Sequence, residues 1–240
     1  DEATNDLDTL DAQMARLENV PPDVMVSPLT TETKTIATFT PSFVIFYAPG
    51  VLALILQHLA VSIASLALVR EKLSGAIELF RVAPITALEI LLGKYGSYLL
   101  FMGLLAAVLT AGMIFLLGVP LLGNLAWLAL SVGLLIFASL GIGFAISATS
   151  GTDSQAVQFS MLVLLASMFF SGFVFPLMSI LVPVRYVAYL LPVTYSILNL
   201  QNVMLKGIPP NSVYLLALAG QGILWFLFAW WRYRRSIVRS

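Results

Sequence analysis

Five stretches of this sequence meet the requirement for crossing a bilayer: Phe43 to Val69, Tyr95 to Leu117, Leu125 to Ala148, Ala156 to Phe175 and Val213 to Trp231. A hydrocarbon core about 30 Å thick takes about 20 apolar residues as helix, and helix leaves no backbone group unpaired in lipid. An all-α integral membrane protein with about five transmembrane helices is therefore expected. Composition agrees, since 60% of the 240 residues are hydrophobic and 10% are charged, against roughly 25% charged in an ordinary soluble domain. Pro49 and Gly50, near the start of the first run, predict a kink or an interfacial turn there.

The twelve acidic and twelve basic residues cancel, so no overall field draws nucleic acid or an anionic substrate. Their distribution says more. Eight acids (Asp1, Glu2, Asp6, Asp8, Asp11, Glu18, Asp23 and Glu32) precede the first apolar run, opposed by Arg16 and Lys34. Residues 1–40 read as a water-exposed segment, a short helix and then an extended stretch from Val24 to Thr40, the end of a small domain. Residues 41–240 are the membrane domain. The chain opens at Asp1 without a methionine or a basic, apolar leader, and upstream sequence is expected.

Charge parity decides the topology. Residues 178–205 are apolar enough to tempt a sixth span, yet they carry Pro183, Arg185, Pro192, Thr194, Asn199, Gln201 and Asn202. With five spans, Arg70, Lys72, Arg81, Lys94, Arg232, Arg234, Arg235 and Arg239 share one side, as the preference for cytoplasmic Lys and Arg demands. A sixth crossing would separate them. The expected arrangement has the N-terminal segment, Arg185 and Lys206 outside, the C-terminus inside, and residues 178–205 as two short helices that dip into the outer leaflet and return.

Function classes narrow by the same inventory. There is no cysteine and one histidine, His58, which excludes disulfides, thiolate chemistry and multi-histidine metal sites. No Asp or Glu lies in a predicted span, against proton or sodium coupling. Nor is there a cluster for membrane-embedded catalysis or a polar stripe for a channel. His58 beside Gln57 sits mid-membrane, where an ionisable group is costly; it reads either as a functional candidate or as a neutral imidazole bonded within the bundle. Ser139, Gly143 and Ser147 recur every four residues and predict close helix packing. Phe169, Phe170, Phe173 and Phe175 could line an apolar substrate path, or simply pack.

The stretch from Arg70 to Lys94 is amphipathic. Ala76, Ile77, Phe80 and Val82 offer an apolar surface, Arg70, Glu71, Lys72, Glu78 and Arg81 supply charge, and Pro84 stops the helix before another begins near Thr86. A helix from Ser74 to Ala83 lying across the inner face is expected, resting on headgroups or offering a docking surface. Glu78 and Glu89 favour docking, since a helix meant for anionic lipid would carry mostly Lys and Arg.

The order Arg-Glu-Lys, Gly-Ala-Ile-Glu-Leu, Val-Ala-Pro, Glu-Ile-Leu-Leu-Gly-Lys resembles the coupling-helix region of the ABC-2 type transporter permeases. Phe170 to Gly207 resembles that family's exit from its fifth helix and its re-entrant outer helices. The resemblance covers about residues 40 to 235. It implies that Arg70, Glu71, Gly75, Glu78, Leu79, Arg81 and Pro84 contact a separate ATP-binding cassette subunit, which would hold the ATP and Mg, this chain binding no cofactor or metal. It also implies a second permease copy, identical or related, and a place in the cytoplasmic membrane. The family typically has six spans, so a preceding helix is expected beyond this sequence. No GxxxxGK[ST] motif occurs in the chain, so nucleotide would bind another polypeptide. The function expected is export of a lipid, drug or other amphiphile, with His58, Phe169, Phe170 and Phe173 as candidate path residues. A membrane component that transmits force without moving a substrate is the alternative.

Overall fold

The computed structural model describes residues 43–76, 78, 85–175, 177 and 182–238. The expectations for residues 1–40, and for Ile77 and residues 79–84 of the predicted inner helix, fall outside them. The described residues form seven α-helices: α1 Phe43–Leu73, α2 Ala87–Phe115, α3 Leu125–Thr149, α4 Asp153–Phe170, α5 Val182–Leu190, α6 Pro192–Leu205 and α7 Ser212–Val238. Five of them, all but α5 and α6, are long and apolar enough to cross a membrane.

Local chemistry places the boundaries. Thr86 and Glu89 form a reciprocal capping box that starts α2 well before the apolar run predicted from Tyr95. Asn124 and Thr152 cap α3 and α4. Two expectations are corrected. Of the kink or interfacial turn expected at Pro49 and Gly50, the turn is absent, since α1 runs as one helix through both. Pro49 lies in the second helical turn, where its missing N–H removes one bond, and a Cβ at Gly50 would meet the Phe173 ring at 2.8 Å. α4 ends at Phe170 rather than Phe175, because Gly172 takes φ +88° and turns the chain away.

Hydropathy alone cannot order these helices, since lipid solvates an apolar face as well as another helix does; close approach through small residues decides. α3 is the most buried span, while α2, α4 and α7 turn most of their surface outward. Gly143 lies against Val61 and Ala64 of α1, and Gly141 against Trp225 and Phe226 of α7. Gly222 of α7 meets Phe137 and Ala138 of α3. Tyr95, Phe137, Phe144 and Phe226 close the centre with ring centroids 4.9 to 5.4 Å from Tyr95. Below Gly143, Ser147 Oγ accepts from Leu68 N at 2.8 Å and Val69 N at 3.0 Å. The Gly143 and Ser147 positions of the small-residue stripe thus face α1. Ser147→Ala is expected to lower stability by about 1 to 2 kcal/mol, read as a fall of a few degrees in the thermal midpoint of the purified protein in detergent.

Candidate functional site

One end of the bundle gathers the charge. There α1 ends, α2 and α4 begin, and α3 and α7 finish. Lys94 of α2 pairs with Glu71 of α1, both side chains about one-fifth exposed. Arg70 reaches Asp153 at the start of α4 at 3.5 Å, more exposed. Lys72 Nζ donates to Ala148 O at the end of α3, 3.1 Å away. Arg235 stacks on Trp231 at 3.8 Å, an aromatic and basic anchor at the same level. The Glu71–Lys94 pair therefore ties the last turn of α1 to α2 two turns inside its start. Gly75, with φ +76°, ends α1, and Glu78 N donates to Gly75 O at 3.0 Å as the next helical turn opens. Of the other predicted docking residues, Leu79, Arg81 and Pro84 lie outside the described residues.

At the opposite end, α5 and α6 form a hairpin that does not cross. α6 is about 20 Å long, and Leu122 N donates to Met204 O near its outward end. Its inward end meets Gln57 near the middle of α1. Gln57 Oε1 accepts from Val193 N at 3.0 Å, and its Nε2 donates to Ser167 Oγ of α4. Leu191, at the N-cap of α6, makes no side-chain capping bond. The other arm is held from α7, where Gln221 Nε2 donates to Tyr189 O at 2.8 Å.

The candidate path residues separate. Phe173 packs edge-on against Tyr47, 5.6 Å between centroids. Together with Gly50, Tyr189, Ile197 and Tyr214 it lines a pocket of about 330 Å³ near the hairpin. Phe169, Phe170 and His58 are not part of that wall; Phe169 is exposed, and His58 Nδ1 lies 3.5 Å from Ser62 Oγ one turn along its own helix. A larger groove between α2 and α3, about 1020 Å³, is lined almost wholly by carbon. In the sequence Gln57 stands out only as the neighbour of His58, and Gln221 not at all. Their signal was available: an amide in an apolar span must find partners, because lipid supplies none.

A family model described as "ABC-2 family transporter protein" matches residues 2–231. The chain belongs to this family. The ABC-2 chain is 31% identical over 199 residues to a probable multidrug ABC transporter permease of Escherichia coli (strain K12), YbhS, covering 80% of this chain and 52% of that protein. It is 30% identical to ABC transporter G family member 20 of Dictyostelium discoideum, over 78% of this chain and 26% of the relative. The inner membrane transport permease YhhJ of Escherichia coli (strain K12) is 30% identical, with 78% of this chain and 52% of YhhJ covered. The chain thus spans about half the length of the bacterial relatives it matches. No solved structure matches it.

Proposed function

We propose that this chain is the membrane-spanning part of an ATP-binding cassette exporter that moves a lipid, drug or other amphiphile, with ATP hydrolysed on a separate subunit and two permease copies in the working complex. The charged end is the cytoplasmic one, where Lys and Arg collect. The observation that carries the reading is the clasp between Glu71 and Lys94. A partner pressing on the segment between α1 and α2 moves the two helices together, because the Glu71–Lys94 pair ties one to the other. Closure of paired ATPases then tilts these helices and alternates access to the space between the two copies. YbhS, whose name is that of a probable multidrug ABC transporter permease, supports the same assignment.

Mild-detergent purification of the tagged full-length protein should bring down a soluble P-loop ATPase in equal amount. Glu78→Arg is expected to reduce that recovery about tenfold, as reversal of an interface charge does, with membrane insertion unchanged. Pro84→Gly should abolish ATP-driven transport at normal insertion. A protein that purifies alone, or two variants that bind and transport as the parent does, would remove the coupling role.

A further inference from the structure

We propose that Gln57 is the joint through which movement of α1 reaches the hairpin of α5 and α6, a positioning residue for transport. The inference rests on the exporter reading above. α1 is one unbroken helix from Gln57 to Arg70, so a displacement at the charged end arrives at Gln57 about 20 Å away as movement of a rod. There its amide bonds two other elements, Val193 N of α6 and Ser167 Oγ of α4.

The first of these bonds is unusual in kind. A helix start leaves backbone N–H groups that its own N-cap side chain ordinarily satisfies. Leu191 has no side-chain acceptor to offer, and Val193 is fully buried, so water does not substitute at its N–H. Gln57 supplies the cap from another helix, and Gln57 and Val193 are both fully buried. In apolar surroundings the bond is costly to leave unmade, so the first turn of α6 follows α1. The hairpin tip is closed by Thr194 Oγ1 donating to Ala188 O at 2.6 Å, and its other arm hangs on Gln221 of α7. The tip is thus slung between α1 and α7, and displacement of one against the other turns it. The pocket lined by Tyr47, Phe173, Tyr189 and Ile197 would change shape with it.

The test uses the full-length protein with its co-purified ATPase. Leu190, exposed at the tip, is replaced by cysteine, which meets no competing thiol in these 240 residues. Its alkylation by N-ethylmaleimide is read on the permease band. In Leu190→Cys alone, the rate should differ about fivefold or more between nucleotide-free and vanadate-trapped complexes, the scale of one bond made or lost. Adding Gln57→Leu should shrink that difference below about twofold while ATP hydrolysis stays within about twofold. Adding Ser167→Ala, which removes the α4 bond alone, should leave the difference in place. Gln57→Asn, one carbon shorter in reach, replaces Gln57→Leu if the latter does not assemble, with the same expected loss. A response that persists in the Gln57 variant, or no response in the Leu190→Cys parent, overturns the joint while the exporter reading stands on its co-purified ATPase. If no ATPase co-purifies, the exporter reading fails and the joint with it.

Discussion

Gly143→Val is expected to destroy the bundle, at a cost of roughly 3 kcal/mol or more, seen as loss of a monodisperse peak in detergent and of membrane-extractable protein. The reason is backbone, not side chain. Even a Cβ at this position would lie 2.5 Å from the Ala64 Cβ and 2.6 Å from the Val61 carbonyl oxygen, and neither can rotate aside. Helices in lipid gain little from hiding apolar surface, so their association depends on such close approach. Forcing α1 from α3 would also break the Ser147 bonds below it. Gly133 of the same helix provides the control, because nothing lies within 4 Å of a Cβ built there. Gly133→Ala should leave the peak unchanged or raise the thermal midpoint slightly, by the better helix propensity of alanine. Equal loss in both variants would mean that glycine content, rather than the α1–α3 contact, is what matters.

Lys94→Glu should cost about 2 to 3 kcal/mol, below the 3 to 5 typical of breaking a fully buried pair because both groups keep some water. It leaves two carboxylates facing each other between α1 and α2, where Glu71 and Lys94 now pair. The thermal midpoint should fall by roughly 5 to 10 °C for a membrane domain of this size. ATP-driven transport should fall with it, since the two helices lose the pair that ties one to the other. The exchange Glu71→Lys with Lys94→Glu restores the attraction and should recover most of both losses. Arg70→Ala, by contrast, should change stability by no more than about 1 kcal/mol, because the Arg70–Asp153 pair is largely exposed. A Lys94→Glu protein as stable as its parent would show that the pair holds nothing together.

Much of the fold was legible from residue order. Runs of twenty or more apolar residues leave helix as the only unpaired-free backbone, and the run from Leu125 to Ala148 became α3 within a residue. Charge parity argued against a sixth crossing between residues 178 and 205, and the hairpin of α5 and α6 has its tip at Gln57. Capping signals are local, so the Thr86 start of α2 could be read as well. The end of α4 was misplaced by five residues because the phenylalanines after Gly172 continue the hydropathy of a span while the backbone has already turned.

What the sequence by itself determined is which helices among the described residues are long and apolar enough to cross a membrane, the collection of positive charge at one end and the small-residue face of α3, each a property of one segment against its solvent. Only the tertiary structure decided which polar groups meet. Gln57 finds Val193 136 residues away, Ser147 finds Leu68 across 79, and Glu71 finds Lys94 across the segment between α1 and α2. Those pairings arise because a polar group in lipid must seek a partner wherever packing brings one within reach, and the partner's position is set by helix contact rather than by chain distance.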